Sequence, residues 1–300
     1  MFSNFSFTPL ISVTICLNGN SPSVSSYDNI IKHFSECLGL HVQIDGDPLQ
    51  YPELCDFLKK LKDHDVQSIG IRTASSIDET LLSSLKKYNI RSILFRHDMK
   101  DLEKNIRLAQ KHEISTEISI LISKNILPTL PEFLAYFKTI GIDLLVIERS
   151  IVADYRKKKI QPLDKNDYYQ LLSFILDNNR KSDSLKIAIS HCPNKILLHS
   201  SDTYAQLAGG CSGGIISCAI DCNGNIIPCL PLWKIILGNI CTDDFMDIWN
   251  KSPLLLQLRS RENIKGKCGR CSFKISCGGC RAESYKHFGN LFEEDVTCWK

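Results

Sequence analysis

The chain has 300 residues, 43% of them hydrophobic, with 36 basic against 33 acidic side chains and a formal charge of +3. That length and apolar content allow one large domain, or a medium domain plus a small one, with a proper core. The balanced charge excludes nucleic acid as the main partner, and no run of about 18 apolar residues exists to cross a membrane.

A signal peptide needs a basic n-region. The first lysine is Lys32, well past the only early apolar run. The expected location is therefore cytoplasmic. The single basic run, Arg156-Lys157-Lys158-Lys159, reads as a solvated patch rather than a site for an acidic peptide.

The first 190 residues alternate between two patterns. β-rich runs stand at 10–16 (LISVTIC), 41–45, 68–73, 92–98, 115–122, 143–148 and 185–191. Helix-like segments fall between them at 26–38, 51–63, 77–88, 100–112, 130–140 and 165–178. Within the fifth, Phe133, Leu134 and Phe137 are spaced for one helix face. Pro52 suits a first helical turn, and Asp78 and Glu79 suit a helix N-terminus. Strand–helix alternation at about 25-residue spacing is the mark of βα units on a parallel sheet. Periodicity alone leaves a doubly wound sheet and a partial barrel both open. Either fold puts sites at the C-terminal strand ends. Cys16 with the loop after it, Asp45-Gly46-Asp47-Pro48, and Glu148 all fall on that rim. The alternation stops between 192 and 210, where a domain boundary is expected. An amphipathic stretch follows at 243–261.

Cysteine is the outlier, with fourteen in all and eleven from Cys192 onward. Disulfide scaffolds are usually short secreted chains, so clustering in a long globular one points to metal. The densest group is Cys268, Cys271, Cys277 and Cys280, two CxxC pairs five residues apart, with Cys298 beyond. Upstream come Cys211, Cys218, Cys222 and Cys229. Gly278-Gly279 removes side chains where backbone must wrap closely. Arg270, Lys274 and Arg281 can offset thiolate charge. Iron–sulfur clusters and structural zinc both fit such spacing. Inert buried thiols are the reading for Cys37, Cys55, Cys192 and Cys241.

The segment from Cys211 to Cys298 resembles a SPASM domain, the auxiliary iron–sulfur module of radical SAM peptide-modifying enzymes. The residues that carry the likeness are Cys211, the DxxGxxxPC element from Asp221 to Cys229, Gly238-Asn239-Ile240, Ile248-Trp249, Ser252-Pro253, and Leu258-Arg259. The closing elements are Cys268-x2-Cys271-x5-Cys277-x2-Cys280-Arg281-Ala282 and Asp295-x2-Cys298. The resemblance implies two [4Fe–4S] clusters. Cys211, Cys229 and Cys280 would hold the first, with Cys218 as fourth ligand and Cys222 its alternative. Cys268, Cys271, Cys277 and Cys298 would hold the second.

Radical SAM enzymes place a partial (β/α)6 barrel ahead of this module, with the catalytic cluster on CxxxCxxC after strand one. The resemblance thus implies an α/β fold with that barrel over 1–200 and the SPASM domain over 201–300. Here Cys16 stands at the first cysteine position, but Asn20 and Ser23 stand at the next two. Neither replaces a soft thiolate, so S-adenosylmethionine is not expected to bind. Cys16 then reads as a small buried hydrophobe. Asp45, Gly46, Asp47 and Pro48 read as a turn and helix start, or as a relic of the family's nucleotide-binding edge. Glu148 reads as a rim carboxylate, not a catalytic base.

The combination is similar to the SPASM-domain peptide maturases of grasp-with-spasm systems. That likeness implies an iron–sulfur protein of ribosomally synthesised peptide (RiPP) maturation, whose partners are a precursor peptide and an ATP-grasp ligase. The catalytic residues are left unassigned. The chain starts about nine residues before the first strand, which leaves no room for an N-terminal leader-binding domain. Two alternatives stand: an active radical SAM enzyme with a non-standard first cluster, and a zinc-stapled binding module.

Overall fold

A computed structural model describes residues 10–37, 39–149, 160–181, 185–191 and 210–300. The basic run at 156–159, Cys192 and the division at 200/201 lie outside the described residues. The chain forms two compact units. The first comprises Met1–Thr116 with Ser212–Arg259, and the second Glu117–Cys211 with Ser260–Lys300.

In the first unit the strands are β1 (Ser12–Leu17), β2 (His41–Gly46), β3 (Ser68–Thr73), β4 (Ile90–Arg96), β8 (Ser217–Ile220), β9 (Asn225–Ile227) and β10 (Gly238–Asn239). Their spatial order is β10-β9-β8-β1-β2-β3-β4. β1 to β4 pair in parallel, as does β1 with β8, whereas β9 is antiparallel to both its neighbours. In the second unit β5 (Ser115–Leu121), β6 (Leu144–Glu148) and β7 (Lys186–Ile189) pair in parallel. The fold is mixed α/β, as the alternation predicts.

The pleat explains which residues reach the core. Along β1, Val13, Ile15 and Leu17 are buried while Ser12, Thr14 and Cys16 are only half-buried. The helix at Leu54–Asp63 buries Leu54, Phe57, Leu58 and Leu61, an i, i+3, i+4, i+7 stripe. Leu130–Ile140 buries Leu130, Leu134, Phe137 and Ile140 and stops at Gly141 in the left-handed region. Phe133 stacks on Phe137 at 5.8 Å.

Three local expectations change and one holds. The segment 26–38 contains only a short α-turn, Asp28–Ile31, flanked by 3-10 turns, because Ser, Asn and His are weak helix formers. Pro52 lies before the first helical turn, since that helix starts at Leu54. Asp78 does cap its helix, its Oδ1 accepting the Leu81 amide at 2.8 Å. The stretch 243–261 is two helices, Phe245–Lys251 and Pro253–Ser260, since Pro253 cannot continue the first. No described helix is long and apolar enough to cross a membrane.

Candidate metal centre

The cysteines of the second expected ligand set all belong to one unit. Cys268 lies in the short helix Gly266–Gly269, which is tied to the C-terminal segment. There the Lys265 amide donates to the Phe292 carbonyl, and the Lys267 amide to Glu294 Oε2. A chain of turns carries the backbone on, with the Lys274 amide donating to the Cys271 carbonyl and the Cys277 amide to the Phe273 carbonyl. Gly278 and Gly279 follow, both left-handed. A Cβ on Gly279 would stand 3.0 Å from Cys268 Sγ and 2.9 Å from Asp295 Cβ. The double glycine therefore lets two cysteine-bearing segments approach, as the sequence suggests.

Each sulfur of this set accepts a backbone N–H. Phe273 donates to Cys271 Sγ at 3.5 Å and Asp295 to Cys268 Sγ at 3.4 Å. Gly279 donates to Cys277 and Lys300 to Cys298. Three of the four bonds run from residue i+2 to the sulfur of residue i, a turn geometry that aims donors at sulfur. Such bonds favour thiolate over thiol. Burial opposes them: it pushes the Cys277 thiol up to about 12 and raises Cys268 and Cys298. Four sulfurs with donors in place, three of them where burial penalises a bare thiolate, suit ligands that bind a cationic centre. Among the described residues, no three Cys, His, Asp or Glu side chains stand close enough to grip a single metal ion.

Asp295 organises this unit. It is fully buried. Its Oδ2 accepts the Cys280 amide at 2.8 Å, and its Oδ1 accepts the Thr297 amide at 2.9 Å and hydroxyl at 2.7 Å. Cys280 is buried too, which drives its thiol up to about 12. Cys211 is held nearby: its amide donates to the Cys277 carbonyl at 3.1 Å, and Arg261 Nη2 donates to its carbonyl at 2.9 Å.

The cations beside the sulfurs differ from the expected trio. Arg281 favours the Cys268 thiolate, as anticipated. Lys274 instead donates to the Glu262 carbonyl, and among the described residues no interaction ties Arg270 to a sulfur. Lys267 favours Cys298, and Arg149 favours Cys280. Arg149 follows β6, far from the Cys-rich segment in sequence. Its side chain is fully buried, paired with Glu283 at 3.2 Å, bonded to Thr297 and to the His191 carbonyl, and 4.6 Å from the Tyr168 ring centre. Only its place just past Glu148 on the rim could have drawn attention to it.

The first expected set draws on both units, with Cys211 and Cys280 in one and Cys218 and Cys229 in the other. In the unit of Cys229, Gly213 packs so closely that a Cβ there would lie 3.1 Å from Cys229 Cβ. The Leu258-Arg259 pair buttresses the adjoining Gly214. Arg259 Nε donates to the Gly214 carbonyl at 3.1 Å, and its guanidinium lies 4.4 Å from the Trp249 ring centre. Asp221 builds the turn before Cys229 by accepting the Asn223 and Asn225 amides. Gly224 is left-handed in that turn, and Asn239 reaches it through the Asn223 carbonyl and the Asn225 side chain. Cys218, on β8, is buried, and burial lifts its thiol to about 12 while Arg259 pulls it down.

The rim loop after β1 closes on itself. Asn18, Ser21 and Asn20 close on one another through Asn18 Oδ1 and Ser21 Oγ, while Ser23 bonds Ser25. Cys16 is not an inert hydrophobe: its thiol hydrogen-bonds Cys222. Asp45 pairs with Cys16 in register and makes an ion pair with Arg72 at 3.0 Å. Gly46 is left-handed, and Asp47 accepts the Ser75 hydroxyl. Pro48 starts a 3-10 turn, as expected of a helix start. Glu148 closes β6, its carbonyl accepting the Ile122 amide. Of the thiols read as buried and inert, Cys55 and Cys241 are exposed, and Cys37 donates to the His33 carbonyl.

Residues 211–272 match the SPASM family, an iron–sulfur cluster-binding domain. The chain is also 38% identical over 95 residues to the AdoMet-dependent heme synthase of Methanosarcina barkeri, covering 32% of this chain and 27% of that protein. It is 39% identical over 151 residues to the AdoMet-dependent heme synthase of Oleidesulfovibrio alaskensis, covering 46% and 38%. The matches thus span well under half the length of these curated relatives. Among solved structures the fold is similar to Streptococcus suis SuiB, with a TM-score of 0.76 at 19% identity, covering 98% of this chain and 78% of that one. A second SuiB structure holds the precursor peptide SuiA. The fold is also similar to anSMEcpe with bound AdoMet and a peptide, with a TM-score of 0.68 at 16% identity, covering 97% and 94%.

Proposed function

We propose that this chain is an iron–sulfur protein of ribosomally synthesised peptide maturation, of the grasp-with-spasm type. In this reading residues 201–300 carry two [4Fe–4S] clusters on the ligand sets given above. Residues 1–200 form a degenerate partial (β/α)6 barrel that does not use S-adenosylmethionine. The observation that carries it is the backbone N–H delivered to every sulfur of Cys268, Cys271, Cys277 and Cys298, a device that tunes cluster thiolates. Zinc is less well supported, because a single tetrahedral ion needs its ligands in one tight shell. A four-iron cluster spreads them over separate irons.

The clusters would supply structural cross-links and electron transfer. The chain's own residues supply the rest: Asp295 fixes the segments that carry Cys280 and Cys298, while Arg149, Lys267 and Arg281 offset thiolate charge. The precursor peptide is the expected substrate-like partner, supported by the SuiA complex of a protein with a similar fold. An ATP-grasp ligase is the expected enzyme partner, and the cytoplasm the expected compartment.

Anaerobic reconstitution tests this reading, with about eight irons per chain expected from two four-iron clusters. Iron near half that value, or stoichiometric zinc, would overturn the two-cluster assignment. The second reading, an active AdoMet enzyme, is favoured by the names of the heme synthase relatives. Release of 5′-deoxyadenosine on reduction with S-adenosylmethionine would establish it.

A further inference from the structure

We infer that Arg281 is the side-chain hydrogen-bond donor to the cluster expected on Cys268, Cys271, Cys277 and Cys298, and that its guanidinium holds the reduction potential of that cluster up. The inference rests on the cluster assignment proposed above and deepens it by giving one residue a measurable task.

Arg281 opens the helix Arg281–Phe288, directly after Cys280, and is 4% exposed. Its Nη1 donates to the Leu291 carbonyl at 2.8 Å and the Glu293 carbonyl at 2.7 Å, and its Nε reaches the Gly279 carbonyl at 3.4 Å. These bonds fix the plane of the guanidinium. Nη2 is buried as well, and among the described residues nothing accepts from it. A charged donor left unpaired away from water is costly. The buried carboxylate beside it does not relieve that cost, because Asp295 already accepts from the Cys280 amide and from Thr297. A water molecule would satisfy the N–H and leave the charge uncompensated. An anionic centre answers both.

Gly279 shows where the orphan N–H lies. A Cβ there would stand 2.7 Å from Arg281 Nη2 and 3.0 Å from Cys268 Sγ. Nitrogen and sulfur thus border the space that one methyl group would fill, and glycine keeps that space open. Arg261 is the contrast. It lies against the neighbouring Gly278, where a Cβ would stand 3.0 Å from its Nη1. Its Nη1 donates to the Ile275 carbonyl and its Nη2 to the Cys211 carbonyl. Arg261 is therefore a tether, whereas Arg281 has one N–H group left over.

The backbone N–H bonds to the four sulfurs bring partial charges, and Arg281 adds a full one. Four thiolates on a four-iron core leave a net negative charge, which an added electron increases. A fixed cation with a free N–H stabilises the reduced form more than the oxidised form, so the potential rises. Reduction takes one electron from the reductant and moves no proton at Arg281, which stays charged throughout.

The test uses the full chain, reconstituted anaerobically and reduced with dithionite. Wild type is grown on arginine carrying heavy nitrogen in the guanidinium alone. Electron–nuclear double resonance of the reduced protein should show a nitrogen coupling that R281K lacks. Its absence from wild type would overturn the proposal, and so would its survival in R281K. Redox titration followed by electron paramagnetic resonance gives the second reading. One of the two potentials should fall in R281K, and fall further in R281Q, at unchanged iron content. Unchanged potentials, or an equal fall in both, would overturn the proposal. Metal analysis of the same wild-type sample reports on the cluster assignment separately: zinc, or no cluster, would overturn that assignment and this proposal with it.

Discussion

The amide of Cys280 points at the carboxylate of Asp295, 2.8 Å away, across a gap of fifteen residues in sequence. The same carboxylate fastens Thr297, one residue before Cys298. One buried acidic side chain therefore ties the two cysteine segments that the resemblance assigns to different clusters. Asp295→Ala leaves the Cys280 and Thr297 amides buried without an acceptor. The expected cost is about 2–4 kcal/mol of stability, measured by denaturant unfolding, together with loss of iron on reconstitution. Wild-type iron content in this variant would remove Asp295 from any organising role.

Two left-handed glycines separate strain from crowding. Gly46 has a φ of +89°, and a Cβ there would meet the Leu17 carbonyl oxygen at 2.6 Å. Gly289 has a φ of +65° and open space around it. Gly46→Ala is expected to cost about 2–3 kcal/mol and Gly289→Ala about 1 kcal/mol, read from shifts in the denaturation midpoint. Equal effects would show that the close approach of β1 to the Asp45–Pro48 turn carries no load.

Arg149 and Glu283 form an ion pair with both side chains buried. Removing one partner strands the other charge. Arg149→Met is expected to destabilise by about 3 kcal/mol, the low end for a broken buried pair. Lys286 and His287 remain near Glu283 at 3.9 and 3.5 Å to soften the loss. In the double variant R149M/E283Q most of that loss should return. A double variant as unstable as the single one would mean that Arg149 acts through Thr297 and His191 rather than through charge.

Much of this was legible in the sequence. The parallel βα alternation came from period-2 runs separated by helical stripes, and the Gly278-Gly279 crossing came from placing two glycines between cysteines. Cys222 was harder to read. Its place before Cys229 makes it an alternative ligand, and the interaction of its thiol with Cys16 joins residues more than 200 apart that no local pattern connects. Arg149 was invisible for a similar reason. An arginine after a β-strand normally snorkels to solvent, and its burial depends on Glu283, Thr297 and Tyr168, residues that no local pattern connects to it. The helix expected over 26–38 is cut to one α-turn because Ser26, Asn29 and His33 have weak helix propensity.

Asp164 gives a pH signature. It caps the helix Lys165–Lys181, its Oδ1 accepting the Asn166 and Asp167 amides. Its other oxygen accepts from Lys124 at 2.7 Å. The Lys124 bond, then the backbone donors, lower its pKa from 3.8 to about 2. A depressed carboxyl stabilises the fold above its unfolded pKa, and that contribution fades as pH falls through the folded one. Wild type should therefore melt above D164A at pH 6, and the gap should close between pH 4 and pH 2 in thermal melts followed by circular dichroism. A gap that persists at pH 2 would mean the ionised carboxylate is not the stabilising species.

Cys218 and Cys222 can be told apart by what each thiol already does. Cys222 accepts from Ser21 and shares a hydrogen bond with Cys16. Cys218 is buried on β8, where burial lifts its thiol to about 12 against the pull of Arg259, so a cationic centre would be needed to hold it as a thiolate. Cys218→Ala is therefore expected to lose about four irons, one cluster's worth, on anaerobic reconstitution, and Cys222→Ala to keep all of its iron. Because Cys218 lies in the core, its variant should also be checked for folding by far-ultraviolet circular dichroism before reconstitution. If the folded C218A protein retains full iron and C222A loses one cluster, the ligand assignment reverses.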